Sequence, residues 1–124
     1  MRPQIALVED NPDNRLLVVA LLEDDYEIRE YETGPEALEA IPLDPPQLIL
    51  MDISLPGMDG PEVLARLRTD SELERIPAIA LTAHAMSGDR ERFLSMGFDD
   101  YLTKPIMDSD VLMEAIEALL DRTP

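Results

Sequence analysis

Five polar side chains of this 124-residue chain stand where apolar runs end: Glu9 and Asp10 after Gln4–Val8, Asp52 after Leu48–Met51, Thr82 after Ala78–Leu81, and Lys104 just beyond Tyr101 and Leu102. If those runs are parallel strands of one sheet, all five side chains reach the same edge, where open α/β sheets bind ligands. Three carboxylates gathered there repel one another, and ionising all of them is costly unless a cation sits among them. Hard oxygen donors with no His or Cys beside them suit Mg²⁺, which keeps several waters and takes few protein carboxylates. A lysine and a hydroxyl opposite the metal would grip the oxygens of a phosphoryl group in flight, a transfer that needs positioning and charge neutralisation more than covalent help. Asp52 then becomes the nucleophile and an aspartyl-phosphate the product. Taken singly, a strand-end Asp closes turns and a Lys decorates surfaces; the chemistry comes from their convergence.

The elements that must position these groups can be read in order. Gln4–Val8 is a short buried strand, after which Asn11 caps a helix with Pro12 at its first position. Leu16, Leu17, Ala20 and Leu21 recur at helical spacing and predict one apolar face on a helix from about 12 to 23. Residues 27–31 fit a second strand. Thr33-Gly34-Pro35 opens a second helix carrying Ala37, Leu38 and Ile41, closed off by Pro42 and Pro45-Pro46. Leu48–Met51 shows no polar alternation, as expected of a strand covered on both faces, and Pro56, Gly57, Asp59 and Gly60 supply loop chemistry after it. A third helix from about 61 to 69 turns Val63, Leu64 and Leu67 inward. Strand 78–81 follows, ending at Thr82. Ser87 is the expected N-cap of a fourth helix carrying Phe93, Leu94 and Met96, with Gly97 its left-handed stop. A last strand over 99–102 leads through Thr103-Lys104-Pro105 to a final helix, capped by Asp108 or Ser109, with Leu112, Ile116 and Leu119 on one face.

Five strands alternating with five helices predict an α/β fold: a doubly wound, five-stranded parallel sheet, flavodoxin-like, with right-handed crossovers. The strand order 2-1-3-4-5 follows from the fold type rather than from any one residue. The length is that of one domain, residues 1–124. The chain holds 27 acidic against 10 basic residues, a formal charge of −17, and such a field repels phosphate polyanions, so direct nucleic-acid binding is not expected. Much of that charge serves as solvated helix face. The absence of cysteine removes disulfides, thiolate catalysis and Cys-ligated metals. There is no long apolar span and no basic, apolar leader, so membrane insertion is not expected and a cytoplasmic protein is.

With VEDN at Val8–Asn11, MDISLPGMDG at Met51–Gly60, LTA at Leu81–Ala83 and YLTKP at Tyr101–Pro105, the chain resembles the receiver domain of two-component response regulators, the CheY-like fold. The four motifs in this order and rhythm are highly specific, and the resemblance spans the whole chain. It implies that Asp52 is the phosphorylation site. Asp10 and Asp52 would hold Mg²⁺ directly with the Ser54 backbone carbonyl, and Glu9 through water; Thr82 and Lys104 would take the phosphoryl oxygens. It also implies that Tyr101 changes rotamer when Thr82 moves, that the Lys104-Pro105 bond is cis, and that Ser54 and His84 occupy positions where the family tunes dephosphorylation. One departure is the acidic Glu23-Asp24-Asp25 before Tyr26, where many relatives end the first helix with Gly; a tighter turn is expected, at the far end of the sheet from Asp52.

The expectation is thus a stand-alone receiver that takes a phosphoryl group from a histidine kinase or histidine phosphotransfer protein and signals to a downstream target protein, a switch rather than a turnover enzyme. Met1 and the short tail after Asp121 favour a complete chain over a receiver cut from a hybrid kinase or larger regulator. An aspartyl-nucleophile phosphatase of the haloacid-dehalogenase type would need a second Asp two residues after the first as general acid, where this chain has Ser54. A flavin carrier would need a glycine- and hydroxyl-rich phosphate loop where Glu9 and Asp10 stand.

Overall fold

In chain order the elements are β1 (Gln4–Val8), α1 (Pro12–Leu22), β2 (Glu27–Tyr31), α2 (Gly34–Ala40) with a single 3-10 turn at Ile41–Leu43, β3 (Leu48–Asp52), α3 (Gly60–Leu67), β4 (Ala78–Thr82), α4 (Asp89–Ser95), β5 (Asp100–Thr103) and α5 (Ser109–Arg122). The computed structural model describes residues 2–83, 87–104, 106 and 108–122. The strands form one sheet in the order β2-β1-β3-β4-β5, every neighbouring pair parallel. This is the doubly wound arrangement that the strand and helix rhythm predicts.

Strand parity divides the core in two. Ile5, Leu7, Leu48, Leu50, Ile79 and Leu81 face α1 and α5, packing on Val18, Leu22, Leu112 and Ile116. Ala6, Val8, Ile49, Met51, Ala78 and Ala80 face the other helices, meeting Ala37, Val63, Leu67 and Phe93. β3 and β4 are buried at all five of their positions, which is why their sequences carry no polar alternation. The edge strands β2 and β5 are only partly covered.

Three local expectations are corrected. Leu16 and Ala20 do not face the core: Leu16 is 70% exposed and the buried stripe of α1 is Val18 and Leu22. Residues 16–22 are apolar throughout, so periodicity selects no face and the sheet contact does. Ser87 is not the cap of α4, which Gly88 enters at φ 84° without a side-chain capping bond; a left-handed entry suits glycine. Of the apolar residues expected on the inner face of α4, only Phe93 turns inward, while Leu94 and Met96 lie exposed; the other buried position of the helix is Asp89, one turn before Phe93. Gly97 does supply the left-handed stop, at φ 103°. The acidic turn at Glu23–Asp25 closes without any left-handed residue, through the Asp25 and Tyr26 N–H groups donating to the Leu22 carbonyl at 3.0 and 2.9 Å.

Candidate functional site

Sheet register brings the strand ends level. Val8 pairs with both Tyr31 and Met51, Asp52 with Leu81, and Thr82 with Thr103. Glu9, Asp52, Thr82 and Lys104 therefore arrive together at the C-terminal edge, and backbone bonds extend the alignment past the strands: Glu9 N–H donates to Tyr31 O at 3.0 Å and Lys104 N–H to Thr82 O at 2.7 Å. Parity then sorts the side chains. Leu50, Leu81 and Leu102 belong to the α1/α5 core, and Asp52 and Lys104, two residues after Leu50 and Leu102, lie on that same side. Thr82 follows Leu81 and so turns the other way, to the side on which Tyr101 packs.

The outcome is a compact charge cluster. One oxygen each from Glu9, Asp10 and Asp52 lies within 4.8 Å of the others, a spacing at which a hard cation fits, with Glu9 and Asp52 buried and Asp10 exposed. The Lys104 ammonium bridges the two buried acids, 3.0 Å from Glu9 Oε1 and 3.1 Å from Asp52 Oδ2. Ser54 N–H donates to Asp52 Oδ1 at 2.9 Å, and Asn11 N–H to Glu9 Oε2 at 3.3 Å. Burial, helped by a hydrogen bond and charge from Asp52 and opposed by Lys104, pushes the Glu9 carboxyl up to about 7. Burial also pushes Asp52 up, but hydrogen bonds from Glu9, Ser54 N–H and Lys104 outweigh it and hold Asp52 below the ordinary carboxylate range. Lys104 is lowered by burial yet ends above its ordinary value, because both acids favour its charged form. Of the two coupled acids Asp52 is thus the more readily ionised, the carboxylate suited to act as nucleophile, and a proton taken up by the pair favours Glu9.

The loops are held from both sides. Asn11 Oδ1 accepts from Asp13 and Asn14 N–H at 2.8 and 3.2 Å, so the predicted cap forms and starts α1 directly behind the acids. Asp59 caps α3 by accepting from Glu62 N–H at 3.0 Å. That places Gly60 against the back of the site: a Cβ there would stand 2.4 Å from the Asp52 carbonyl oxygen and 2.8 Å from Ile53 Cα.

Of the residues singled out in the sequence, Glu9, Asp10, Asp52, Ser54 and Lys104 are brought together. Thr82 is buried at the same edge, with its backbone bonded to Lys104. Tyr101 is half-buried, its ring 5.4 Å from that of Phe93, and it lines a groove of about 450 Å³ with Arg90, Asp100 and Val111. His84 and Pro105 lie outside the described residues. Sequence reasoning aimed Lys104 at a phosphoryl group and missed its pairing with Glu9. It also missed Gly60 as a packing requirement and Arg15, whose guanidinium reaches the Glu9 and Asp10 carbonyls at 2.9 and 3.2 Å. The one available signal for Arg15 was its being the sole cation of α1, directly before the apolar run Leu16–Leu22.

A family model described as the response regulator receiver domain matches residues 5–117. Among curated proteins, the chain is 45% identical over 107 residues to the polar-differentiation response regulator DivK of Brucella ovis, covering 86% of this chain and 87% of that protein. It is 44% identical over 109 residues to the sensor histidine kinase GacS of Pseudomonas protegens, covering 84% of this chain but spanning only 12% of the kinase. Among solved structures, the receiver domain of the sensor histidine kinase PA1611 from Pseudomonas aeruginosa, with a magnesium ion coordinated in its active-site cleft, superposes with a TM-score of 0.88 at 34% identity, covering 98% of this chain and 99% of that one.

Proposed function

The chain belongs to the response regulator receiver domain family, and from that premise we propose that it is a phosphoacceptor switch in which Asp52 takes a phosphoryl group from a phosphohistidine. The observation that carries this reading is the pairing of Lys104 with both buried acids at 3.0 and 3.1 Å beside three convergent carboxylates. Asp52 attacks phosphorus as the P–N bond of the donor breaks; the bonding pair leaves with the imidazole nitrogen, which ends protonated, and an acyl phosphate remains on Asp52. Lys104 moves its ammonium from Glu9 and Asp52 to the arriving phosphoryl oxygens, and Thr82 offers its hydroxyl to another. Each Asp52 takes one phosphoryl group whose presence is the signal, so the chain acts as a switch rather than a turnover enzyme; water later cleaves the acyl phosphate to Asp52 and inorganic phosphate.

The carboxylates suit Mg²⁺ by their hardness and spacing; Asp10, Asp52 and the Ser54 carbonyl would hold it, with Glu9 in support. When bound, the ion neutralises charge on the transferring phosphoryl oxygens. Ser54 and His84, close in sequence to the two ends of the phosphoryl pocket, tune the lifetime of the acyl phosphate.

The output is a protein contact. Thr82 and Tyr101 share the sheet side opposite Lys104, so a Thr82 drawn to the phosphoryl group vacates room for the Tyr101 ring and remodels the groove between α4, β5 and α5 for a downstream target protein. A formal charge of −17 disfavours nucleic acid as the direct target. The donor is a histidine kinase or histidine phosphotransfer protein, and the setting the cytoplasm; no helix among the described residues is long and apolar enough to cross a membrane. Incubation with a small phosphodonor and Mg²⁺ should add one phosphoryl mass to the wild type and none to Asp52→Asn. Equal labelling of the mutant would falsify the assignment.

A second reading, a receiver module within a longer sensor kinase, is favoured by the 44% identity to a segment of GacS. It keeps the same chemistry at Asp52 and makes the donor part of the same polypeptide. The mass of the native protein distinguishes the two.

A further inference from the structure

The site described so far faces the sheet edge, whereas the strongest unassigned feature lies behind it. Arg15, on the first turns of α1, has a side chain only 13% exposed despite its charge. Its Nη1 donates to the carbonyl of Glu9 at 2.9 Å and to that of Asp10 at 3.2 Å; its Nη2 donates to Glu32 Oε1 at 3.2 Å, and its Nε lies 3.5 Å from Glu30 Oε1. One planar guanidinium therefore joins α1, the loop after β1 and the end of β2, a geometry that a rigid fork of five donors can satisfy and a single ammonium cannot.

The Asp10–Asn11 peptide shows what this does. Its carbonyl accepts from Arg15, and its N–H donates to Glu9 Oε2 at 3.3 Å. The peptide is planar, so holding its carbonyl sets the direction of the N–H that in turn orients the Glu9 carboxylate. The neighbouring Glu9–Asp10 peptide is held by its own carbonyl in the same way. We propose that Arg15 is a positioning residue of the metal and phosphoacceptor site: by clamping the Glu9 and Asp10 carbonyls it pre-orients the Glu9 and Asp10 carboxylates for a divalent cation, while Glu30 and Glu32 hold the guanidinium in place. This rests on the receiver reading for the role of the site, but its physical content is cation affinity.

The test measures Mg²⁺ affinity by calorimetry, thermal stability, and the amide ¹⁵N shifts of Asp10 and Asn11 in metal-free protein, for wild type, Arg15→Met, Arg15→Lys and the double variant Glu30→Gln/Glu32→Gln. Partners that orient metal ligands typically cost about 10–100-fold in affinity when removed. Arg15→Met is expected to lose about tenfold and to shift both amides, whose peptide groups carry the clamped carbonyls. Arg15→Lys should fall between it and wild type. The double variant, whose amide oxygens still accept from the guanidinium, gives up only the ion-pair charge and so keeps the carbonyl clamp and with it the Mg²⁺ affinity and the two shifts. If Arg15→Met fails to fold, Arg15→Lys decides on the same readings. Wild-type affinity and unmoved amide shifts in the folded variant would overturn the inference, whatever happened to its melting temperature. A wild type that binds Mg²⁺ yet takes no phosphoryl group would instead sink the receiver function and leave the Arg15 assignment standing on the affinity data.

Discussion

Lys104 donates to Glu9 at 3.0 Å across 95 residues of sequence, and the same ammonium reaches Asp52 at 3.1 Å. One cation thus ties together the two buried acids, on strands far apart in sequence, at the edge where the phosphoacceptor stands.

Replacing Lys104 with Met should therefore destabilise the metal-free protein at pH 8. Removing one partner of a buried pair costs on the order of 3 kcal/mol, because the remaining charge is left uncompensated. Saturating Mg²⁺ should restore most of this, since it supplies the missing positive charge. Urea denaturation with and without Mg²⁺ checks it; an equal loss in both conditions would show that Lys104 contributes through packing alone.

The buried Glu9 carboxyl, raised to about 7 from 4.5, sets a pH dependence of definite sign. Its folded value lies above its unfolded one, so its contribution favours folding at low pH and is lost as pH rises through about 7. Asp52 runs the opposite way, its contribution being lost only as pH falls below the ordinary carboxylate range, and Lys104 loses its own only above its ordinary value. Comparison with Glu9→Gln isolates the Glu9 contribution from every other titrating group. Relative to Glu9→Gln, metal-free wild type should lose stability between about pH 5 and 8, by no more than about 3 kcal/mol at about 1.4 kcal/mol per pH unit. Mg²⁺ affinity of the wild type should rise over the same range as the proton is displaced. Parallel pH profiles for the two proteins would contradict the shared-proton arrangement.

Gly60→Ala tests the close approach behind Asp52. The added Cβ would meet backbone atoms of Asp52 and Ile53 at 2.4 and 2.8 Å, which cannot swing aside as a side chain could. A loss of about 1–3 kcal/mol is expected from overpacking, together with slower phosphorylation as Asp52 is displaced. Gly57→Ala is the control: it carries a backbone cost at φ 78° but meets nothing within 4 Å, so it should leave the phosphorylation rate unchanged. Identical kinetics in both variants would mean that the β3 end tolerates the shift.

Output through the Tyr101 groove predicts linkage. Phosphorylation should tighten binding of the target protein by about 1–3 kcal/mol, and binding should favour the phosphorylated state by the same factor. Thr82→Ala and Tyr101→Ala should each remove most of that coupling while leaving Asp52 able to accept a phosphoryl group. Undiminished phosphorylation-dependent binding in both variants would place the output on another face, most plainly that of α1.

Much of this molecule was determined by its residues in order. Short apolar runs bounded by turn residues, such as Leu48–Met51 and Ala78–Leu81, read as strands covered on both faces, and alternating them with helices points to a doubly wound parallel sheet. Parallel strands then send every strand-end side chain to one edge, so Glu9, Asp10, Asp52, Thr82 and Lys104 were legible as a set before any coordinates. The cap at Asn11 was equally local, because a side-chain oxygen two or three residues ahead of a free N–H needs no tertiary partner.

What only the tertiary structure decided concerns choices that local sequence leaves degenerate. Helix α1 is apolar at every position from Leu16 to Leu22, so packing against β1 and α5, not periodicity, selected Val18 and Leu22. The pairing of Lys104 with Glu9 depends on sheet register and strand parity, which place two residues 95 apart on one side while turning Thr82 and Tyr101 to the other. Arg15 reads as an ordinary surface cation until the end of β2 is laid beside that of β1, bringing Glu30 and Glu32 to one side of it and the Glu9 and Asp10 carbonyls to the other. Chain-local patterns carry the type and order of the elements; the direction in which a charge points is set by whatever the fold brings opposite it.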